Sequence, residues 1–281
     1  MTLISAQALL QRLHDPALNI IDARYALSDT AQGLNDYRQS HLPGARYVDL
    51  DGDLSGPKTD PLLGRHPLPG EAQFSALLQR LGIEPGQHVV VYDQSDGAMA
   101  ASRFWFLLVL AGHEKVSVLD GGLNQWLQQG FPVTDILPAI TASQYPVHFN
   151  RNHLVDAAQL KQVLSVPSDA ALLDARAPER FRGEIEPLDK KAGHIPGALN
   201  RPYSQNIENG VFKSPEQLRA EFAALIQGRK NIVLSCGSGV TACHNLLALS
   251  HAGIGGGKLF APSWSGWVAD DANPVALGSD A

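Results

Sequence analysis

Two kinds of segment alternate along this chain, and their hydrophobic patterns differ. Short apolar runs rich in β-branched residues are typical of buried parallel strands, and they occupy residues 18–22, 89–92, 116–119, 171–174 and 232–235. Between these runs, apolar residues recur at spacings of three and four, which predicts helices. The predicted helices cover residues 5–13, 71–81, 98–110, 156–164, 215–226 and 240–251. Strands that alternate with helices indicate an α/β fold in which a parallel sheet carries helices on both faces.

Motifs from the first half of the chain recur in the second half. Ile-Ile-Asp-Ala-Arg at residues 20–24 returns about 150 residues later as Leu-Leu-Asp-Ala-Arg at residues 172–176. Ser-His-Leu-Pro-Gly-Ala at residues 40–45 returns as Gly-His-Ile-Pro-Gly-Ala at residues 193–198. A period of this length indicates a duplicated domain rather than a solenoid.

The duplication predicts two domains of similar build. Residues 1–135 and 153–281 form these domains, and residues 136–152 form the linker, which has little periodicity and contains Pro138 and Pro146. Each domain is expected to contain its own parallel sheet with helices on both faces.

Composition and charge limit the possible partners. The 281 residues are 44% hydrophobic and 18% charged, as in a packed globular protein. The chain has no apolar run of the length that crosses a bilayer, and its start lacks a basic region followed by an apolar one, so we expect a cytoplasmic protein without a membrane partner. The 22 Lys and Arg against 28 Asp and Glu give a net charge of −6 without a basic cluster, which argues against a nucleic-acid partner.

Cys236 lies where ligands of α/β folds usually bind, directly beyond a predicted strand. Gly237 and Gly239 follow it and precede a predicted helix. Glycines let successive N–H groups turn inward, and the helix N-terminus adds partial positive charge, so the loop favours an anion. We therefore predict that Cys236 is a nucleophile that acts as a thiolate, although an arbitrary cysteine after a strand is more often a small buried apolar residue.

Three chemistries use a cysteine in such a loop. A cysteine phosphatase needs an arginine at the end of the loop to grip phosphate, but Ala242 stands there. A thiol hydrolase needs a histidine base, and neither His41 nor His194 has a sequence signature for that role. The third chemistry transfers a sulfur atom through a cysteine persulfide, whose terminal sulfur the N–H groups stabilise. It requires no metal or cofactor.

The motifs together resemble those of the tandem-domain rhodanese family. Besides the duplicated motifs, the resemblance rests on Arg-His-Pro-Leu-Pro at residues 65–69, Asp-Gly-Gly at 120–122 before Trp126, and Cys-Gly-Ser-Gly-Val-Thr-Ala at 236–242. It spans the chain, and the last motif is similar to the loop of 3-mercaptopyruvate sulfurtransferases. The resemblance implies two rhodanese-like domains. The first would be non-catalytic, because Asp93 stands where the second domain has its cysteine.

The resemblance also implies a donor site around the cysteine loop. Gly237, Gly239 and Val240 would surround the transferred sulfur, and Arg180 with its neighbour Arg182 would bind the donor carboxylate.

One departure from the family concerns a second arginine, which 3-mercaptopyruvate sulfurtransferases usually place after the first. Residues 187–191 occupy that region, and they read Pro-Leu-Asp-Lys-Lys. Lys190 or Lys191 is the expected substitute, as a point charge without the guanidinium fork.

The resemblance implies that Ser238 belongs to a Ser-His-Asp arrangement. In the family, this arrangement protonates the pyruvate enolate that departs from 3-mercaptopyruvate after its sulfur is transferred. His41 matches its histidine, with Asp29 or Asp36 as the orienting carboxylate. An equally good interpretation is that His41 and its twin His194 satisfy backbone groups before the tight Pro-Gly turns.

Two further residues of the predicted helix have chemical side chains. Thr241 lies at the helix start, where its hydroxyl donates to the persulfide or caps the helix. Cys243 is expected to pack in the core, and a resolving thiol is the minority interpretation.

The resulting hypothesis is a sulfurtransferase that uses a small-molecule sulfur donor. A Cys236 thiolate takes sulfur from 3-mercaptopyruvate and passes it to cyanide, a small thiol or a protein thiol such as thioredoxin. Thiosulfate is the alternative donor, disfavoured because Gly237 and Ser238 offer this dianion no cation. The alternative of another class is a non-catalytic rhodanese-like module that binds a partner protein.

Overall fold

A computed structural model describes residues 2–166 and 169–279, so the predicted domain ends at positions 1 and 281 lie outside the described residues. The described chain clusters into two compact units. The first lies within Met1–Gly56, Leu68–Asn150 and Asn209–Phe212, and the second within Pro57–Pro67, Arg151–Glu208 and Lys213–Ala281.

These units differ from the predicted domains at one segment that bears on function. Pro57–Pro67 precedes most of the first unit in sequence, yet it clusters with the second. The close packing of Gly64 explains this, because a Cβ atom there would lie 2.5 Å from the carbonyl oxygen of Pro262. The predicted linker is also assigned differently, since it belongs to the first unit as far as Asn150.

The first unit is built on a parallel sheet, in which the described residues form five strands. These strands are β1 (Leu3–Ile4), β2 (Leu18–Asp22), β3 (Arg46–Tyr47), β4 (His88–Tyr92) and β5 (Val116–Leu119). They are ordered β1-β5-β4-β2-β3, and β4 lies in the interior of the sheet with every residue after His88 buried. The helices of this unit are α1 (Ala6–Leu10), α2 (Gln32–Gln39), α3 (Glu71–Arg80), α4 (Ala100–Leu110) and α5 (Gly122–Gln128).

The second unit repeats this design with a parallel sheet in which the described residues form four strands. Its order is β11-β10-β6-β7, with β6 (Ala170–Asp174), β7 (Ala198–Asn200), β10 (Asn231–Ser235) and β11 (Lys258–Leu259). The short strand β8 (Ile207–Glu208) also belongs to this unit, whereas β9 (Val211–Phe212) lies in the segment Asn209–Phe212 that clusters with the first unit. The helices are α6 (Ala157–Leu164), α7 (Pro178–Phe181), α8 (Pro215–Ile226), α9 (Thr241–His251) and α10 (Ser263–Trp267).

The predicted α/β class is confirmed, and every predicted strand and helix is present with ends shifted by a few residues at most. The helix predicted at 5–13 is the shortest relative to expectation, because α1 ends at Leu10. Elements that the pattern missed are short or polar. In α2, for example, only Gly33 and Tyr37 are buried, so its sequence shows no apolar stripe. Within the described residues, no helix has the length and apolar character that a membrane span requires.

Candidate active site

Cys236 lies at the carboxyl edge of the second sheet. It directly follows β10, whose last residue, Ser235, pairs with Asp174 at the end of β6. Five residues later α9 begins at Thr241, so the loop connects a buried strand to a helix N-terminus. The cysteine is 1% exposed. The thiol is thus held inside the fold, where surrounding N–H groups interact strongly with charge.

A backbone N–H group from the loop points at the thiol. The N–H of Gly239 donates to Sγ of Cys236 at 3.1 Å. Gly239 has a φ of 76°, and a Cβ atom there would lie 2.3 Å from the carbonyl oxygen of Ala261. Only glycine fits both conditions, so this residue gives the loop the curvature that aims the donor at sulfur.

The segment that begins α10 supports the loop from the other side. Ser263 has a φ of 53°, its Oγ accepts the N–H of Cys236 at 3.1 Å, and it lies 4.0 Å from Sγ. The N–H groups of Trp264 and Ser265 donate to the carbonyls of Cys236 and Gly237, each at 2.9 Å. Sequence analysis did not identify Ser263, because its distance along the chain hides this contact.

Ser238 is paired with a histidine other than the predicted one. Its Oγ lies 2.8 Å from Nδ1 of His66, and both side chains are buried. His66 belongs to Pro57–Pro67, the segment that clusters with the second unit. The Arg-His-Pro-Leu-Pro motif was the signal available in the sequence, but it carried no role for this ring.

His41 does not have the geometry that a catalytic role would require. Its Nδ1 and Nε2 atoms lie 2.6 Å and 3.2 Å from the carbonyl oxygens of Tyr37 and Ile136. The ring also stacks on Tyr37 and is fully buried in the first unit. Its twin His194 likewise has Nδ1 2.8 Å from a carbonyl oxygen, that of Phe181. The contacts of His41 are therefore those of the structural interpretation, because backbone carbonyls rather than Asp29, Asp36 or Ser238 lie at its ring nitrogens.

Arg180 lies beside the cysteine loop, as the resemblance implies. Its Nη1 atom would be 3.5 Å from a Cβ atom at Gly237. Its Nη2 atom donates to Glu186 at 2.6 Å and to Asp189 at 3.4 Å. Its Nε atom is buried and has no hydrogen-bond partner among the described residues. The guanidinium therefore keeps donor capacity for an anion near the loop.

The other predicted cations are paired with surface carboxylates, and Lys190 also lines a cavity together with Arg65. Arg182 is partly exposed and donates from Nε and Nη2 to Glu184 at 2.6 and 2.9 Å. Lys190 and Lys191 both pair with Asp271, at 2.9 and 3.2 Å. Surface ion pairs therefore hold all three of these side chains, and we do not assign them to the candidate site.

A second guanidinium beside the loop comes from Arg65, which sequence analysis did not identify as a site residue. Its Nη2 atom would lie 3.0 Å from a Cβ atom at Gly237, and its Nη1 atom is paired with Asp189. Its backbone N–H donates to Oγ of Ser265 at 3.0 Å. Asp189 lies in the region where the family usually has a second arginine. Here it is the partner of Arg65, which comes from a distant segment of the chain.

The duplicated Asp-Ala-Arg motifs have the same structure in both units. Arg24 and Arg176 each donate to the aspartate two residues earlier at 2.7 Å. Each also donates to a backbone carbonyl of the His-Pro-Gly motif, at Ser40 or at Gly193. These buried ion pairs tie the end of a strand to the following motif, and they explain why both motifs recur together.

The first unit has a carboxylate at the position of the cysteine. Asp93 follows β4 and accepts the N–H groups of Ser95, Gly97 and Met99 at 3.1, 2.9 and 3.4 Å. Burial, assisted by Asp96, raises its pKa to about 6. A built-in carboxylate therefore occupies the N–H groups that an anionic sulfur would use.

The remaining loop and helix residues are placed as follows. Val240 is buried and precedes α9, and Thr241 is the first helical residue, although no side chain caps this helix. Val240 rather than Thr241 is thus the N-cap residue, and donation from the Thr241 hydroxyl to the persulfide stays a prediction. Sγ of Cys243 donates to the carbonyl of Gly239 at 3.3 Å and is fully buried, in agreement with packing.

Comparison with known proteins identifies the family. The model of the rhodanese-like domain matches residues 5–129 and 156–270, so the chain belongs to the rhodanese-like family and carries two copies of its domain.

Relatives and solved structures agree over most of the chain. A probable 3-mercaptopyruvate sulfurtransferase of Pseudomonas aeruginosa is 44% identical over 279 residues, 98% of each chain. A putative thiosulfate sulfurtransferase of Mycobacterium tuberculosis is 39% identical over 94% of this chain and 92% of its own. A 3-mercaptopyruvate sulfurtransferase structure from Leishmania major superposes with a TM-score of 0.80 at 29% identity, covering 94% of this chain and 73% of that one. The protein is an enzyme of the sulfurtransferase class.

Proposed function

We propose that this enzyme transfers sulfur from 3-mercaptopyruvate through a persulfide on Cys236. The observation that carries the proposal is the Gly239 N–H aimed at Sγ within a buried loop, with the guanidinium of Arg180 beside Gly237. The N–H group stabilises negative charge on sulfur, and the guanidinium provides a partner for the donor carboxylate.

The first half-reaction forms one sulfur–sulfur bond. The Cys236 thiolate attacks the donor sulfur, the sulfur–carbon bond of 3-mercaptopyruvate breaks, and its electron pair leaves on carbon as the enolate of pyruvate. Protonation of that carbon gives pyruvate. In the second half-reaction the thiolate of an acceptor attacks the outer sulfur, which leaves as the acceptor persulfide and regenerates the Cys236 thiolate.

Ser238 and His66 are proposed to supply the proton that pyruvate needs. A hydroxyl that is 2.8 Å from an imidazole nitrogen can pass on a proton that the ring replaces. Both groups are buried, which keeps bulk water from competing as the proton donor.

Mass spectrometry of the intact enzyme tests the proposal. Incubation with 3-mercaptopyruvate is expected to release pyruvate and to add the mass of one sulfur atom, located on the peptide that contains Cys236. Cys236→Ser should lose both signals. The matched control is Cys243→Ser, because a hydroxyl can replace the thiol that donates to Gly239, and it should keep both. An unmodified Cys236 without pyruvate release contradicts the function.

Thiosulfate is the second candidate donor, and one observation favours it. Although Gly237 and Ser238 carry no charge, the guanidinium groups of Arg65 and Arg180 lie beside the loop and can offset a dianion. Asp189 and Glu186 already bind these arginines, which reduces the net positive charge. The ratio of kcat/KM for the two donors, measured in parallel, decides between them.

Proposed acceptors are cyanide, a small thiol, or a protein thiol such as thioredoxin. We also propose a cytoplasmic location, which Cys236 and Cys243 support because both are buried and neither forms a disulfide, as is usual in a reducing compartment. Persulfide-loaded enzyme mixed with each acceptor in turn should lose the added sulfur mass, at a rate that ranks the acceptors.

A further inference from the structure

Two arginines from separate segments border one glycine of the nucleophile loop. A Cβ atom at Gly237 would lie 3.0 Å from Nη2 of Arg65 and 3.5 Å from Nη1 of Arg180. Gly237 directly follows Cys236, so both guanidinium groups lie beside the loop that contains the thiol. Arg180 is contributed by α7, and Arg65 by the segment Pro57–Pro67.

A buried carboxylate holds the two cations together. One oxygen of Asp189 accepts from Arg65, and the other accepts from Arg180 at 3.4 Å. The Asp189 side chain is only 4% exposed, so the interaction is weakly screened. Without a carboxylate between them, the two positively charged guanidinium groups would repel each other. Asp189 therefore acts as a positioning residue that fixes Arg65 next to the loop.

Different nitrogens of Arg65 make the internal bond and face the loop. Nη1 is paired with Asp189, whereas Nη2 is the atom nearest Gly237. The side chain is 30% exposed, against 17% for Arg180. It also lines a cavity of about 380 Å³ with Leu188, Ser265 and Val268. Asp189 and Lys190 line the same cavity, and Arg65 borders both this cavity and Gly237 of the loop.

We propose that Arg65 determines donor affinity by binding the carboxylate of the sulfur donor together with Arg180. This inference rests on the proposed function. A planar guanidinium that Asp189 holds in place can form a directed, charge-assisted bond with a carboxylate. The acceptor half-reaction does not need this contact, because the donor carboxylate has then left as part of pyruvate.

The test compares KM and kcat for 3-mercaptopyruvate in Arg65→Gln. We expect KM to rise about tenfold, because a lost charge-assisted hydrogen bond has that effect, while kcat at saturating donor stays within about twofold. Sulfur transfer from persulfide-loaded enzyme to an acceptor thiol should not change. Arg65→Lys keeps the charge without the fork, and it should recover part of the affinity.

The matched control is Arg80→Gln, which removes an arginine that is paired with Asp53 in an exposed ion pair of the first unit. It changes net charge equally and should leave KM unchanged. Wild-type KM in Arg65→Gln, with normal persulfide formation, overturns the inference. Failure of the unaltered enzyme to form a persulfide overturns the proposed function instead. If Arg65→Gln does not fold, the KM of Arg65→Lys is the test. A KM equal to that of the wild type at every salt concentration would contradict a directed contact made by the guanidinium group.

Discussion

Nδ1 of His66 lies 2.8 Å from Oγ of Ser238, although 172 residues separate them along the chain. The hydroxyl belongs to the loop that contains Cys236, and the ring belongs to a segment of the sequence's first half that clusters with the second unit. This pair is the proton source that we propose for the pyruvate enolate. The first prediction follows from it.

Ser238→Ala should affect the two donors differently. The pyruvate enolate needs a proton on carbon, whereas the sulfite released from thiosulfate needs none. Removal of the proton donor is therefore expected to lower kcat for 3-mercaptopyruvate on the order of 100-fold, and kcat for thiosulfate by much less. Steady-state kinetics with both donors measure this. The double variant with His66→Gln should be no slower than the slower single variant, and additive losses would show that the residues act separately.

Arg180→Gln should weaken donor binding while Arg182→Gln should not. Loss of a buried charge-assisted hydrogen bond predicts an increase in KM of about tenfold to a hundredfold for the first variant. Arg182 is bound to Glu184 at the surface, and its loss removes an exposed pair alone. Equal KM values for the two variants would contradict the assignment of Arg180.

The same Arg180 substitution should also affect stability. The Arg180 guanidinium and nearby backbone N–H groups hold the pKa of Glu186 below its usual value despite burial. Without the guanidinium, burial raises that pKa, and the free energy of unfolding of Arg180→Gln should decrease relative to wild type above the pKa of an ordinary glutamate. Denaturant titrations at pH 3, below the pKa of an ordinary glutamate, and at pH 7, above it, measure this difference, and an identical loss at both values would argue against it.

Gly239→Ala should disrupt the loop more than an alanine at another glycine of similar φ. The added Cβ atom would lie 2.3 Å from the Ala261 carbonyl oxygen, in addition to the cost of φ at 76°. Gly228 has a φ of 78° with nothing within 4 Å of its added Cβ, so Gly228→Ala reports the backbone cost alone, about 1–2 kcal/mol. We expect Gly239→Ala to exceed this loss and to prevent persulfide formation. Thermal unfolding and mass spectrometry check both, and equal stability of the two variants would contradict the close contact.

Asp93 predicts a pH dependence of stability in the first unit. Its pKa is about 6 in the folded protein against 3.8 for an ordinary aspartate, so the folded state binds a proton more tightly than the unfolded chain. The stabilisation that protonated Asp93 contributes is complete below 3.8, the pKa of the unfolded chain, and is lost as the pH rises through about 6. Between pH 4 and pH 7, the free energy of unfolding of the wild type should therefore decrease by at most about 3 kcal/mol relative to that of Asp93→Asn.

Urea titrations of both proteins across this pH range measure that difference. The neutral asparagine cancels the titration of all other groups, so that only Asp93 remains in the comparison. A constant difference between the two proteins would mean that Asp93 keeps its usual pKa in the fold.

Much of this protein could be predicted from local sequence. Hydrophobic periodicity and turn chemistry act over a few residues. They predict the strand at 231–235, the glycine-containing loop after it and the helix that starts at Thr241. The duplication is also visible in sequence, because the Asp-Ala-Arg ion pair forms between residues only two positions apart in each copy. The sequence therefore sufficed to predict for Cys236 the nucleophilic role that we propose.

The partners of Cys236 and its loop were determined by tertiary structure. His66, Arg65, Asp189 and Ser263 are far from the cysteine in sequence, and their individual patterns resemble those of ordinary surface or core residues. His41 shared a motif with a catalytic histidine, yet folding placed its ring against the carbonyls of Tyr37 and Ile136. Backbone geometry is encoded by neighbouring residues, whereas contacts between side chains depend on how distant segments pack. The local sequence therefore determined the cysteine and its loop, and only packing decided which histidine and which cations lie beside that loop.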